Sequence, residues 1–351
     1  MLQKLCKALE ACQIPYEVLD LDGGNQILVS QHGGHVFGPF GESCPDGLFW
    51  YPQEVTEEDS LRDFIKKRLW NTGGDRVWIS PEIQFNITDR SRFRETLKQP
   101  AVMDPGYYSL MRRKNQVVLH QTLSLPSYNT VTGEMYFDFK RTVQNAPNPL
   151  RRAKDAQELL CGVTYCGYEQ VLDLTAESEE DIFAESWNLL QIRPEGTLFI
   201  PMYEPTSGTD HYEPAGEMEE VIEKGVLLHI TGQRRYKIAY PAAVLTGRFG
   251  YLSKTKEGLP YLLILNYPNN PSCMYAEEPP TMPGEKGYSI HIYNDDGNSG
   301  GFAEMECNLQ TIGRPTGLNH SIDRVTKWMF FGEGKKLGQI AKRLLGYDFG
   351  L

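Results

Sequence analysis

Thr72-Gly73-Gly74-Asp75-Arg76-Val77-Trp78-Ile79-Ser80-Pro81-Glu82 places a turn, an alternating strand, a guanidinium and a carboxylate within eleven residues. Gly73-Gly74 permits a tight turn with positive φ. The period of two that follows sends Val77 and Ile79 to one face of a strand and Arg76, Trp78 and Ser80 to the other. A planar donor fork beside a flat ring suits a polyhydroxylated ring, the fork for hydroxyl oxygens and the indole for the apolar C–H face. The plainer alternative is a core tryptophan beside a structural Arg–Glu ion pair, since buried Trp and ion pairs are both common.

Upstream of that stretch, Leu2, Leu5, Cys6, Leu9 and Cys12 recur at helical spacing, which predicts a short amphipathic helix over residues 1–13. Two strand-like runs, Tyr16–Asp22 and Gln26–Ser30, flank Asp22-Gly23-Gly24-Asn25, a hairpin signal. Leu61, Phe64, Ile65 and Leu69 then form one side of a helix over Glu57–Leu69. From Val77 to Leu309 the texture is short β-branched and aromatic runs punctuated by Gly and Pro, among them Gln116–Leu125, Tyr136–Val143, Gly167–Leu174, Tyr261–Asn266 and Tyr288–Tyr293. Many short strands with few long helices predict an all-β, large antiparallel sandwich rather than alternating β/α units. Two polar stretches, Gln144–Gln157 and Glu204–Lys224, read as long loops too irregular for strands. Leu337, Ile340, Ala341, Leu344 and Leu345 predict a closing helix over 333–346 docked on the β body. With no repeat and no linker-like break in composition, residues 1–351 are expected to form a single domain.

The net charge of −11 argues against a nucleic-acid partner, because a phosphate-binding face is normally basic. No run of roughly 18 apolar residues suggests a membrane span. Seven scattered cysteines without a CxxC pair point away from a disulfide framework or a zinc site. Charges interrupt the N-terminal region where a signal peptide needs an apolar run, so the expectation is a cytoplasmic protein, or a periplasmic one if a signal has been removed.

Glu304 and Glu306 share a strand face in Gly301-Phe302-Ala303-Glu304-Met305-Glu306, and mutual repulsion would raise the pKa of one of them. A solvated strand face carrying charges is the alternative. His211, next to Asp210 in the polar segment, is a candidate proton-exchanging group. His32 and His35 tend to splay on a turn and have no evident third ligand, so no metal is expected. Asn294-Asp295-Asp296-Gly297-Asn298 reads as a turn rather than a calcium loop. No G-x-S-x-G elbow, P-loop or G-x-G-x-x-G occurs, so no nucleotide cofactor is expected.

Taken together, Gly73–Glu82, the Gly33-Gly34 turn, Arg235-Tyr-Lys-Ile-Ala-Tyr, Ile290–Gly297 and Gly301–Glu306 resemble the galactose mutarotase-like superfamily, the aldose 1-epimerases and an uncharacterised bacterial branch of their relatives. The resemblance spans Gln26 to Gly346 and implies a β-supersandwich that takes a small carbohydrate without metal or other cofactor. In that family an early Arg binds substrate, a central His acts as acid and a late Glu as base. Arg76, His211 and Glu304 or Glu306 occur here in that order, although His211 does not sit in the strand pattern usual for the central His, and the family's early His has only His120 as a counterpart. The implied reaction is acid–base catalysis at a sugar anomeric centre, with Glu304, Glu306 and His211 catalytic and Arg76, Trp78, Glu82, Asp210 and Asn294 binding the sugar. A non-catalytic carbohydrate-binding protein is the second reading. The third is a glycoside-cleaving enzyme that pairs Glu82 with Glu304 or Glu306.

Overall fold

The computed structural model describes residues 1–351. Two antiparallel sheets face one another. The first has nine strands, with Asp75–Ser80, Glu185–Ile192, Ala303–Asn308, Tyr288–Asn294 and Tyr236–Pro241 adjacent in that order at its centre. The second has ten, dominated by the long strands Gln116–Ser127, Gly133–Asn145, Thr164–Glu177 and His320–Phe331. The all-β sandwich expected from the sequence is therefore the architecture observed. No helix is long and apolar enough to cross a membrane, and all seven cysteines are free.

Between the sheets lies the main core. Val77, Ile79, Leu190, Ile292, Met305 and Ile238 come from the nine-stranded side, and Tyr168, Leu172, Leu263 and Met329 from the other. Each fully buried aliphatic side chain of this kind contributes about 1.5–3 kcal/mol of transfer free energy. The closing helix, Gly334–Leu345, lays Leu337, Ile340, Ala341 and Leu345 on the outer face of the ten-stranded sheet against Phe199, Leu262, Ile264 and Trp328. Gly346 ends it in the left-handed conformation, φ 82°. The opening helix, Leu2–Ala11, packs Leu5, Ala8 and Leu9 on Leu28, Phe37 and Leu61.

The turn that opens the quoted stretch has the backbone the glycines predict, φ 85° at Gly73 and 80° at Gly74. A Cβ on Gly73 would lie 2.4 Å from the Tyr51 Cα, so close chain passage as well as φ excludes a side chain there. Glu204–Lys224 departs from the expectation of a loop. Thr209–Asp210 adds an edge strand to the nine-stranded sheet, and Glu219–Ile222 forms a hairpin with Gly225–Ile230 at the edge of the ten-stranded one. Edge strands bond on one side only, so they tolerate the polar composition that hid them.

Candidate functional site

The face of the nine-stranded sheet turned away from the core gathers Arg76, Trp78, Glu304 and Glu306. Directly opposed residues of neighbouring antiparallel strands point the same way, and the register makes Arg76 and Glu306 the two neighbours of Leu189, and Trp78 the neighbour of Trp187. One step along, Gln191, Glu304, Tyr293 and Lys237 form a second row across four strands. Above this floor is a cavity of about 880 Å³, walled by the chain around Ile65–Trp70, by Leu97–Tyr107, and by Tyr212 and Arg235. Arg76, Trp78, Glu82, Glu304 and Glu306 all line it.

Arg76 is 1% exposed, with its guanidinium 4.5 Å from the Trp78 ring centre and 4.9 Å from that of Trp70. Its Nη2 donates to Glu304 Oε1 at 2.6 Å, and Gln191 Nε2 donates to the same oxygen at 2.9 Å. Arg76 Nε and Nη1 are buried without a partner. Trp78 Nε1 donates to Asp104 Oδ2 at 2.8 Å, and His35 Nε2 lies 3.1 Å from that oxygen while its Nδ1 donates to the Gly73 carbonyl at 2.7 Å. The Gly73-Gly74 turn is thereby tied to the cavity wall. Burial would raise the Asp104 carboxyl, but His35 and Arg76 outweigh it and hold the group below its ordinary range. His32 also lines the cavity, its imidazole lowered to about 4 by burial with His35 adding and Asp104 opposing, so it is neutral.

Glu306 is wholly buried. Its Oε2 accepts from Trp187 Nε1 at 3.0 Å and lies 3.6 Å from Lys237 Nζ, while Oε1 has no partner. Burial pushes its carboxyl up to about 8, with Lys237 opposing and Glu304 and Glu82 adding, so it carries a proton at neutral pH. Lys237 Nζ donates to Glu82 Oε2 at 3.1 Å, and Tyr212 donates to the same oxygen at 2.7 Å. Burial disfavours the Lys237 ammonium, yet Glu306, Glu82 and Glu277 more than offset it and raise its pKa. Glu277, brought beneath the Glu82 N–H, is likewise raised to about 8 by burial and Glu82, with Lys237 opposing.

Four residues singled out in the sequence lie elsewhere. His211 follows the edge strand rather than sitting in an open loop; it is 2% exposed, does not line the cavity and packs against His291 with ring centres 5.0 Å apart. Burial, with the Lys237 charge adding, lowers it well below the ordinary histidine value, so it is not an imidazolium at neutral pH. Asp210 accepts from the Ala215 N–H at 3.0 Å, and Asn294 bridges the Gly232 N–H and the Arg234 carbonyl, so both close turns. His120 pairs with Asp138 on the ten-stranded sheet. Asp295 Oδ2 accepts three backbone N–H groups, from Gly297, Ser299 and Gly301, which makes the acidic run there a turn.

Lys237, Trp187, Tyr212, Asp104 and Trp70 were not legible as site residues. Lys237 had a signal: in Tyr236-Lys237-Ile238-Ala239-Tyr240 it is the single charge in an otherwise buried strand.

No protein-family model matches the sequence, and no curated protein matches it. Among solved structures the chain is similar to a candidate aldose 1-epimerase from Escherichia coli K12, at 12% identity over 91% of this chain and 98% of that one, with a TM-score of 0.48. It is similar to a galactose mutarotase-like protein from Clostridium acetobutylicum at 10% identity, covering 91% and 98%, TM-score 0.47. An aldose epimerase homologue from C. elegans gives 7% identity, 91% and 100% coverage, and a TM-score of 0.45.

Proposed function

We propose that this chain is a carbohydrate-active protein that moves protons at a sugar anomeric centre. The observation that supports it is the pair of glutamates in the cavity floor, each with one oxygen held by the protein and one left free. Glu304 is held through Oε1 by Arg76 and Gln191, and Glu306 through Oε2 by Trp187, with Oε1 unpartnered. Two neighbouring carboxyls held by unlike partners, a guanidinium for one and an indole N–H for the other, are suited to opposite roles. Glu306, protonated at neutral pH, donates to the ring oxygen; Glu304, bonded as a carboxylate is, takes the proton of the anomeric hydroxyl. The C1–O5 bond breaks to the open aldehyde, the C1–C2 bond rotates, and reclosure returns both protons with the anomer exchanged. Arg76 and Trp78 hold hydroxyls and ring face, and Lys237 positions Glu306 and Glu82. In this scheme the acid is a buried carboxyl, in the role the sequence had suggested for His211.

Anomer interconversion by NMR with a panel of aldoses tests the reading. Acceleration over buffer that is lost in Glu306→Gln supports it, and rates equal to buffer for every sugar overturn it. Saturable sugar binding without turnover would instead establish the carbohydrate-binding reading, which the position of His211 outside the cavity favours. Release of product from chromogenic glycosides would establish the glycoside-cleaving one, for which Glu82 with Glu304 or Glu306 would supply the two carboxyls on one cavity.

A further inference from the structure

The charge of the cavity runs opposite to that of the chain. The protein has 46 Asp and Glu against 35 Lys and Arg, yet the cavity is lined by six basic side chains and four acidic ones. The two signs are also separated by depth. All four carboxyls, on Glu82, Asp104, Glu304 and Glu306, are buried. Each faces a basic partner at close range: Glu304 with Arg76, Glu82 and Glu306 with Lys237, and Asp104 with His35. Glu306 is neutral at physiological pH because burial raises it to about 8. Within the floor, Arg76 and Lys237 offset the carboxylates of Glu304 and Glu82 that they touch. At the mouth Lys67, Arg68 and Lys98 are exposed and form no ion pair, whereas their neighbours Lys66 and Arg94 pair with Asp63 and Glu213.

A second feature points the same way. Arg235, in the wall beside Tyr212, is half-buried with its guanidinium 5.4 Å from the Tyr212 ring centre, and its Nε is buried without a hydrogen-bond partner. Its nearest carboxylate contact, to Glu213, is at 4.0 Å. Arg76 below it, 1% exposed, likewise keeps Nε and Nη1 unpartnered. Buried guanidinium donors without acceptors are costly unless a ligand supplies oxygens. A neutral sugar could satisfy those of Arg76, but it leaves the uncompensated mouth without a purpose.

The geometry points to an anionic sugar as the ligand of this cavity: the ring lies over Arg76 and Trp78, and a phosphate or carboxylate substituent lies at the mouth between Lys67, Arg68, Lys98 and Arg235. This rests on the carbohydrate reading above and adds its substrate class. The mouth also acts before contact, since a cleft of one sign raises the encounter rate of an oppositely charged ligand and does so in a salt-dependent way. Phosphate and carboxylate share the recognition chemistry, guanidinium and ammonium to anionic oxygens, and differ in charge and in the number of acceptors.

Calorimetric titration of the full chain with an aldohexose, its 6-phosphate and its uronate separates the outcomes. The expected result is that at least one anionic member binds about tenfold or more tightly than the neutral parent. The advantage should shrink when ionic strength is raised from about 0.01 M to about 0.15 M, where the screening length falls from roughly 30 Å to about 8 Å. Whichever of the phosphate and the uronate binds more tightly identifies the substituent. In K67Q/R68Q/K98Q, three exposed positions whose exchange should leave the melting temperature unchanged, the anionic ligand should fall to the affinity of the neutral one while the neutral one is unaffected. Equal affinity for neutral and anionic members, or an anionic preference that survives the triple substitution unchanged, overturns this inference and leaves the carbohydrate reading standing. Absence of binding by all three overturns both.

Discussion

At the scale of single residues, Glu304 and Glu306 occupy the same strand face two positions apart, yet one is solvent-touched and bound to a guanidinium while the other is wholly buried beside an indole N–H. The difference has a kinetic signature. If Glu306 donates its proton, the rate should be highest when the group is neutral and fall as pH rises through about 8; a rate that climbs through the same pH would make Glu306 the base and exchange the roles. Removal of a positioned general acid typically costs 10²–10⁴-fold, so Glu306→Gln should lower kcat by about that factor while the sugar KM moves little. Arg76→Lys should act differently. It keeps the charge but loses the planar fork between Trp70 and Trp78 and the 2.6 Å bond to Glu304, so substrate affinity should weaken by about tenfold or more, read as KM in sugar titrations. Arg76, Trp78 and the two late glutamates could be brought together from the sequence because a strand's period of two puts each pair on one face, whereas Glu82 lies past the strand, at the start of the short helix Glu82–Phe85. Lys237 could not be tied to Glu306 from sequence, since their contact depends on strand order, with Tyr288–Asn294 inserted between their strands.

At the scale of elements, the turn before the Asp75–Ser80 strand does more than reverse the chain. Gly73 presents its carbonyl to His35, which in turn reaches Asp104 and through it the Trp78 indole. Gly73→Ala would need a Cβ at φ 85° and 2.4 Å from the Tyr51 Cα. A cost of about 2–4 kcal/mol is expected from strain and displacement together, measurable by denaturant unfolding, with a parallel loss of sugar affinity as the wall carrying Trp78 shifts. A variant of wild-type stability would show that the turn can relax without cost. The glycine pair was readable because its chemistry is local. The two short strands inside Glu204–Lys224 were not, because polar edge strands are defined by the neighbour they pair with and carry little pattern of their own. His211 was misplaced for the same reason: its burial follows from the edge strand that ends at Asp210 and from the His291 it packs against, on a strand some eighty residues downstream.

At the scale of the molecule, the sandwich was legible because many alternating runs leave few other ways to bury their apolar faces. The charges between its sheets were not, for alternation marks a face without saying whether it meets water. Asp75 of one sheet and Lys327 of the other pair at 2.8 Å with neither side chain exposed, and Gln170 also donates to Asp75 at 2.7 Å. We propose on this ground that the two sheets unfold as one unit. Lys327→Met would strand a buried carboxylate at a cost of about 3–5 kcal/mol, visible as a single unfolding transition moved to lower temperature; two separate transitions would contradict it. Buried titratable groups also fix how stability depends on pH. His32, His211 and His291 are neutral in the fold, each lowered first by burial, whereas in the unfolded chain they take up protons below about 6.5. Stability therefore rises with pH until about 6.5. Glu277 and Glu306 act in the opposite sense, since the fold keeps them protonated to about 8 against an ordinary value of 4.5, and their contribution is lost as pH climbs through that window. Below about 6.5 the two groups oppose one another; above it only the carboxyls remain, and the melting temperature should pass through a maximum near pH 6.5 and decline towards 8. Both glutamates flank Lys237 and Glu82, so loss of the first proton hinders loss of the second, and about one proton over this interval is worth about 2 kcal/mol, or roughly 3 °C for a chain of this length. Glu306→Gln, which fixes the neutral form, should flatten the decline. A melting temperature that rises from pH 6.5 to 8 in the wild-type chain would mean that Glu277 and Glu306 are ionised in the fold, and would remove Glu306 as the proton donor along with it.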